Sequence, residues 1–243
     1  MAPVSNLVGV IGGVGPLATA YFLDMVVRLT QAERDQDHVD LIVFNHASIP
    51  DRTAFVVGDS EENPGPVMAQ DARRLEAFGA ELLVLPCNTA HTFTEEIARS
   101  VRIPLVSIVE ETIDEAQRRV PGLARAGILA TTGTVRSEVY HRALRARGVE
   151  PLVPDDAGQA AVMEIIYEQV KAGRPVDLEA LRTVVASLVS DGAQVVLLGC
   201  TELSVVAQDE DLLADPLYVD SLDVLARATI TRAGRQVRTD LSS

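Results

Sequence analysis

The chain contains no tryptophan and only two cysteines, and both shortages restrict what the protein can be. Aromatic residues make up 4% of its 243 residues, so a buried core must be built from aliphatic side chains, as many α/β folds allow. No apolar run approaches the length of a membrane span, and residues 1–6 lack the basic start of a signal peptide. We therefore expect a cytoplasmic protein with free thiols rather than a structural disulfide.

Positive charge is also scarce. The chain has 21 basic and 35 acidic residues, with a net charge of −14. This charge opposes binding to nucleic acid or to an anionic membrane, and we expect neither as a partner. Lys171 is the single lysine; all other basic residues are arginine. Because an ammonium group and a guanidinium group are not interchangeable, Lys171 is either a required compact cation or a surface position of no consequence.

Two segments of the chain resemble each other closely. Residues 79–87 (GAELLVLPC) and 192–200 (GAQVVLLGC) are offset by 113 residues, and each ends in a cysteine. A second pair, residues 9–15 and 127–133, also resemble each other as an apolar run followed by small residues. An apolar run that ends in a reactive residue is typical of a buried strand that presents this residue at its C-terminal edge. The pattern predicts an internal duplication with one thiol in each half.

Apolar runs alternate with amphipathic segments along the whole chain, which predicts βαβ units. Strands are predicted at 7–11, 41–45, 82–85, 104–108, 126–130, 195–198 and 216–219. Helices are predicted at 17–33, 66–78, 113–120, 135–147 and 178–190, with loops at 59–65 and 153–158. The predicted fold is two pseudo-symmetric α/β domains, each a parallel sheet flanked by helices, with the active site in the cleft between them. We place one domain at 1–112 plus 217–243 and the other at 113–216.

Each cysteine begins a short polar motif. Cys87 is followed by Asn88 and Thr89, and Cys200 is followed by Thr201. At a junction from strand to helix, the positive end of the helix favours a thiolate, and the polar neighbours can donate hydrogen bonds to a carboxylate. Two buried core cysteines are the competing interpretation, but their matched positions in both halves favour a chemical role.

Five motifs along nearly the whole chain resemble those of the aspartate/glutamate racemase family. They are residues 12–19 (GGVGPLAT), 49–53 (IPDRT), 86–91 (PCNTAH), 131–134 (TTGT) and 199–202 (GCTE). The resemblance implies a racemase without cofactor or metal, in which a thiolate removes the α-proton and an opposite thiol returns one. It assigns these roles to Cys87 and Cys200, and because both cysteines are present we expect reaction in both directions.

The resemblance also implies the substrate, an acidic amino acid. Aspartate is the first expectation, and glutamate or a broader set of amino acids is the alternative. Arg52 and Lys171 match positions that hold carboxylates. The other expected substrate contacts are Asn88, Thr89, Thr132, Thr201 and Val14, and at Val14 relatives commonly carry methionine, so we expect an altered pocket shape. One or two cysteines also serve hydantoin racemases, arylmalonate decarboxylases and maleate isomerases, which share the fold, but Arg52 and Lys171 favour a substrate with two carboxylates. The family further suggests a homodimer.

A dinucleotide-binding enzyme is an alternative from a different class. Gly13, Gly15 and Ala18 fit the G-x-G-x-x-G/A fingerprint after a predicted strand. However, the next strand ends in Asn45-His46, without the acidic residue that would bind a ribose. The context therefore argues against an NAD(P)-dependent dehydrogenase.

Three further alternatives concern ligands. Cys87 and His91 have the i, i+4 spacing of metal ligands, but no third or fourth ligand at suitable spacing is evident. Lys171 would have to form any pyridoxal Schiff base, and its place near Gly173 is typical of a helix end rather than a phosphate site. A non-enzymatic protein that binds acidic amino acids stays open, because it would keep every residue that holds an anion.

Overall fold

Two four-stranded parallel sheets form the frame of the protein in a computed structural model, which describes residues 6–210 and 212–239. The first sheet, in the order β2-β1-β3-β4, contains β1 (Val8–Gly12), β2 (Leu41–Asn45), β3 (Leu82–Val84) and β4 (Leu105–Val106). The second, in the order β6-β5-β7-β8, contains β5 (Arg125–Leu129), β6 (Glu150–Leu152), β7 (Val195–Leu198) and β8 (Tyr218–Asp220). The shared strand order and the parallel pairing confirm the predicted duplicated α/β fold.

Helices connect the strands. They are α1 (Pro16–Leu29), α2 (Arg52–Val57), α3 (Gly65–Ala77), α4 (Thr94–Ser100), α5 (Ile108–Arg119), α6 (Thr132–Arg136), α7 (Val139–Ala146), α8 (Asp156–Glu164), α9 (Leu178–Ser190), α10 (Thr201–Asp209) and α11 (Ser221–Arg232). A π-helical segment, Ile165–Val170, continues α8, and short 3₁₀ turns cover Asp35–Asp37, Thr89–Phe93 and Leu212–Ala214. Within the described residues, no helix has both the length and the apolar content to cross a bilayer.

One apolar core is shared by the two sheets. Successive residues of a strand point to opposite faces, and in β7 Val195 and Leu197 belong to one cluster while Val196 and Leu198 belong to another. The first of these clusters also contains Val10 of β1, so it runs without interruption from one sheet to the other. Each sheet has a second cluster of its own on the opposite face. Both sheets are therefore buried on both sides, which requires the continuous aliphatic runs seen in the sequence.

The last strand and the last helix join different parts of the molecule. β8 pairs with β7, so residues 218–220 lie in the second sheet, beyond the predicted domain boundary at 216. α11 packs against α1 of the first half and also against α5, which extends across the predicted boundary at 112. Because α5 and α11 both contribute to the shared core, the two halves meet through packed helices rather than through a linker.

Among the elements that differ from the predicted ones, four have a local explanation or lie where a loop was predicted. β6 was not predicted, because it is a three-residue edge strand with Pro151 in the middle. The predicted helix at 135–147 is interrupted at Glu138, which has a left-handed φ of 57° and separates α6 from α7. α5 begins at Ile108 rather than 113, since Ser107 accepts a hydrogen bond from the Glu110 N–H and caps it. α8 begins at Asp156, within a predicted loop.

A glycine after β1 fixes the close approach of two segments, and its replacement tests this packing. Gly13 has a φ of 84°, and a Cβ there would lie 2.3–2.6 Å from backbone atoms of His46. We expect Gly13→Ala to lower the free energy of unfolding by more than the roughly 1–2 kcal/mol that a left-handed conformation alone costs. Urea denaturation followed by circular dichroism measures this.

Gly148→Ala is the matched control. Gly148 also has a positive φ, 72°, but a Cβ there would meet nothing within 4 Å. It should therefore show the left-handed cost alone. Equal destabilisation by the two substitutions would contradict the proposed role of the close contact with His46.

Candidate active site

The two cysteines occupy equivalent points in the two sheets. Cys87 follows β3, which pairs with β1, and Cys200 follows β7, which pairs with β5. From the first central strand of each sheet, β1 or β5, the chain continues to the edge strand on one side. From the second central strand, β3 or β7, it continues to the edge strand on the other side, and this reversal opens a crevice at the carboxyl ends of the two central strands. In both halves, therefore, a thiol lies at the point where parallel α/β sheets bind their ligands.

Both thiols line one small cavity of about 20 Å³, enough for a water molecule. Of the residues predicted to contact substrate, six line it: Val14, Arg52, Asn88, Thr89, Lys171 and Thr201. Besides Gly199, which has no side chain, sequence analysis did not select five residues whose side chains also line it: Asp51, Thr53, Thr131, Tyr167 and Glu202. Four of these five lie within quoted motifs, so the motifs identified the region but not each inward-facing side chain.

Thr132 is not among the residues that line this cavity, in contrast to the prediction. Its hydroxyl lies 3.4 Å from the Gln159 amide nitrogen, and its N–H points to the sulfur of Met163. The adjacent Thr131 takes the predicted place, because it is the N-cap of α6 and its hydroxyl accepts a hydrogen bond from the Thr134 N–H. A cap turns its side chain back toward the helix end, which here faces the cavity.

Threonine hydroxyls connect the two halves beside the thiols. Thr89 of the first half lies 3.0 Å from Thr131 and 2.8 Å from Thr134 of the second half, oxygen to oxygen. Thr53 donates a longer hydrogen bond of 3.4 Å to Thr131. A hydroxyl can rotate to donate in another direction, so this cluster can turn hydrogen-bond donors toward an anion in the cavity.

Asn88 is held from behind by a buried network. Its amide oxygen accepts from the Tyr140 hydroxyl at 2.6 Å, and its amide nitrogen donates to the Ser221 hydroxyl at 3.0 Å. Ser221 in turn donates to the carbonyl of Leu198, at the end of β7. Burial raises the pKa of Tyr140, which keeps it a donor. With its position fixed, Asn88 has one amide hydrogen left for a ligand.

His91 supports the loop that carries Cys87. Its Nδ1 donates to the Cys87 carbonyl at 2.9 Å, and its Nε2 accepts from the Ile108 N–H at 3.1 Å, the first residue of α5. Complete burial lowers the pKa of His91 to about 4, so the ring is neutral. Because both ring nitrogens are engaged, His91 is a structural residue, and the described residues contain no group of side chains suited to a metal ion.

The environment of Cys200 differs from the predicted one. Burial, followed by the neighbouring carboxylate of Glu202, raises the pKa of Cys200 well above its ordinary value. The expectation that the start of a helix favours a thiolate was therefore wrong for this residue. Cys87 is followed by a short 3₁₀ turn, Thr89–Phe93, and not by the start of an α-helix.

Two cations face the cavity from opposite halves. Arg52 donates through Nη1 to the carbonyls of Ile49 and Pro50, while its buried Nε has no hydrogen-bond partner among the described residues. The Lys171 ammonium lies 3.8 Å from Glu202 and 4.0 Å from the centre of the Tyr167 ring. Burial acts to lower the pKa of Lys171, but nearby negative groups, led by Glu202, outweigh it and raise the value.

A larger cavity, of about 440 Å³, adjoins the one between the thiols. The two share Arg52, Lys171 and Glu202, and the larger one has apolar walls from residues such as Leu17 and Val205. The charged residues therefore stand between the thiols and an apolar space that could receive a side chain.

Residues 11–229 match the model of the Asp/Glu/hydantoin racemase family. The chain belongs to this family. A broad specificity amino-acid racemase of Bacillus subtilis (strain 168), RacX, is 30% identical over 233 residues, which are 93% of this chain and 97% of the relative. An aspartate racemase from Picrophilus torridus has a similar structure, with a TM-score of 0.81, 28% identity and 97% coverage of both chains.

A third similar structure, an aspartate racemase homologue from Pyrococcus horikoshii OT3, has a TM-score of 0.76 and 27% identity over 94% of this chain and 99% of that one. Membership of the Asp/Glu/hydantoin racemase family identifies the protein as an isomerase of the racemase type. It leaves the dehydrogenase alternative without support, and the glycine at position 13 has another use, the close approach to the His46 backbone.

The buried neutral His91 makes stability depend on pH. Its pKa is about 4 in the folded protein and 6.5 ordinarily, so the unfolded chain binds the proton first as the pH falls. The contribution of His91 is complete above pH 6.5 and is lost between pH 6.5 and 4, by at most about 3 kcal/mol. We therefore expect the difference in the free energy of unfolding between the unmodified protein and His91→Asn to become smaller as the pH falls from 6.5 to 4.

Urea unfolding of both proteins at several pH values measures this difference. Asp220 acts in the opposite sense, because burial raises its pKa to about 7 and its contribution is lost as the pH rises. Since both proteins contain Asp220, the comparison isolates His91. Parallel stability curves from pH 4 to 7 would contradict the assignment of a neutral, buried His91.

Proposed function

We propose that the protein interconverts L- and D-aspartate without a cofactor, through Cys87 and Cys200. The observation that carries the proposal is that topologically equivalent strand ends present both thiols to one cavity. Racemisation requires a base on one side of the α-carbon and an acid on the other, and a pseudo-symmetric pair of identical groups serves both directions. The similarity to an aspartate racemase and to an aspartate racemase homologue supports the same function.

In each direction one thiolate removes the α-proton, and the electrons of the C–H bond stay on carbon. The opposite thiol then gives its proton to the other face and keeps the S–H electrons as a thiolate. The intermediate negative charge extends onto the α-carboxylate, where donors placed in advance stabilise it. Asn88, the hydroxyls of Thr89 and Thr131, and Thr201 at the start of α10 are the donors available here.

Aspartate is the proposed first substrate because Arg52 and Lys171 face the cavity from two sides. The unpartnered Nε of Arg52 is a buried donor that a side-chain carboxylate would satisfy. Lys171, paired with Glu202 at 3.8 Å, is close enough to exchange that partner for a substrate carboxylate. A planar guanidinium and an ammonium together match a second carboxylate on the substrate.

A broader amino-acid specificity is the second candidate. The adjoining cavity of about 440 Å³ has room for side chains longer than that of aspartate, and its apolar walls suit neutral ones. The Bacillus relative is described as a broad specificity racemase. Asp51 and Glu202 also line both cavities, so the positive charge of Arg52 and Lys171 is partly compensated.

Proton NMR of L-aspartate in D₂O, under reducing conditions and with no cofactor added, tests the reaction. We expect the α-proton signal to disappear while chiral chromatography detects D-aspartate. Cys87→Ala and Cys200→Ala should each reduce racemisation roughly 10²- to 10⁴-fold, the usual contribution of a general acid or base. Activity that survives hydroxylamine treatment and dialysis would support independence from pyridoxal phosphate. Binding of aspartate without any isotope exchange would instead favour a non-enzymatic binding protein.

The role of Arg52 is tested with a panel of aspartate, glutamate, alanine and leucine. We expect Arg52→Met to lower kcat/KM for aspartate roughly 10- to 100-fold, since a charged hydrogen-bonding group is lost. The value of kcat/KM for alanine should change much less. Arg99→Met removes the same charge from an exposed site, paired with Glu95, and should leave the panel unchanged. Equal turnover of all four amino acids by the unmodified protein would contradict specificity for aspartate and support the broader specificity.

A further inference from the structure

Glu202 touches the machinery of the proposed reaction at three points. Its Oε2 accepts a hydrogen bond from Cys200 Sγ at 3.0 Å and one from the Thr201 hydroxyl at 3.3 Å. Its Oε1 lies 3.8 Å from the Lys171 ammonium. The Glu202 side chain is only 12% exposed, and Gly15 of the loop after β1 leaves room for it, with an added Cβ there 3.3 Å from Oε1.

We propose that Glu202 is a positioning residue that keeps the proton on Cys200, so that Cys200 is the acid and Cys87 the base in the unliganded enzyme. The inference rests on the proposed two-thiol function and deepens it. An ionised carboxylate is only an acceptor, so the contact at 3.0 Å requires that Cys200 be the donor, a thiol. The Lys171 ammonium lies 3.8 Å from the Glu202 carboxylate and is its opposite charge.

The two thiols are therefore unequal despite the matched topology. Within the described residues, no hydrogen bond or ion pair links the Cys87 thiol to a carboxylate, whereas Cys200 donates to one. A thiolate at Cys200 would be a second negative charge beside Glu202 in a buried place, and like charges disfavour each other strongly there. Negative charge in the thiol pair is thus directed to Cys87.

The inequality gives each thiol one role in the proposed reaction. The Cys87 thiolate forms an S–H bond with the α-proton of one enantiomer, and the C–H electrons stay on carbon. The S–H bond of Cys200 breaks, its proton forms the new C–H bond, and its electrons stay on Sγ beside Glu202. The reverse reaction, or return of the proton from Cys87, relieves this repulsion.

Other charged or titratable groups also lie around Cys200. Those that face it from the neighbouring elements are Lys171, Tyr167, Asp51, Arg52, Cys87 and Tyr140. Lys171 is the cation that counteracts Glu202 at Cys200. Removal of Glu202 and removal of Lys171 should therefore move the ionisation of Cys200 in opposite directions, which a general loss of structure would not do.

The first test titrates Cys200 alone, in the Cys87→Ala protein, by thiolate absorbance and by the pH dependence of iodoacetamide alkylation. We expect Glu202→Gln to move the midpoint down by about one to three pH units, the usual effect of one close charge. Lys171→Met should move it up. Asp209→Asn is the matched control, because it removes the same charge from the exposed end of α10 and should not move the midpoint.

The second test measures kcat/KM against pH in protein that keeps both cysteines. In Glu202→Gln the loss of activity at high pH, where the Cys200 proton is lost, should move down by the same interval as the titration. Glu202→Asp, which keeps a carboxylate, should restore part of the original profile. If Glu202 had only a structural role, its replacement would lower kcat/KM at every pH without moving the pH at which activity is lost.

The outcomes separate the two proposals. A midpoint unchanged in Glu202→Gln, or moved in the same direction by Lys171→Met, overturns the role of Glu202 while racemisation by the unmodified protein stands. Absence of racemisation by the unmodified protein overturns the proposed function and is observed without any Glu202 variant. Opposite midpoint shifts together with a shifted activity limb support the inference.

Discussion

The carboxyl ends of two parallel sheets face one cavity, and the rest of the molecule depends on this arrangement. A parallel sheet must be covered on both faces, and here the inner faces share one core while each outer face has its own cluster. The shared core fixes the two strand ends relative to each other, so side chains from different halves can form one site. The threonine contacts between Thr89 and Thr131 are possible only because of that fixed relation.

Electrostatics distinguishes two thiols that topology makes equivalent. L- and D-amino acids have the same free energy in water, so kcat/KM must be equal in both directions whatever the enzyme does. A difference between Cys87 and Cys200 therefore changes kcat and KM separately, while their ratio stays fixed. In this way a single carboxylate, Glu202, can favour one liganded form of the enzyme without changing the equilibrium that it catalyses.

The sequence predicted the fold and the two thiols because these depend on repeated apolar runs, and the bounds of β2 and β7 agree to the residue. The sequence did not predict features that depend on local backbone geometry. No residue pattern indicates that Glu138 adopts a left-handed conformation, and the three-residue edge strand with Pro151 is too short to give an apolar run. The start of α5 was detectable, since Ser107 and Glu110 have capping-box spacing.

Within the site, the same limit applied to side chains one residue apart. Thr131 and Thr132 are chemically identical, and only the cap of α6 decides which one faces the cavity. Glu202 stood inside a quoted motif, but its effect on Cys200 depends on a distance between side chains that spacing along the chain does not give. Residue type and order thus pointed to the proposed chemistry, and the three-dimensional contacts support the proposed inequality of the two thiols.

The shared core also limits how the two halves can move relative to each other. The cavity between the thiols, about 20 Å³, is much smaller than an amino acid, so a bound substrate needs more room there than this conformation gives. Rotation of one half against the other would expose apolar surface of the common core. Helix α2 has six residues and none of them is buried, so its displacement from α6 exposes far less. Because α2 carries Arg52 and Thr53, a displacement of this helix would also move part of the proposed binding site.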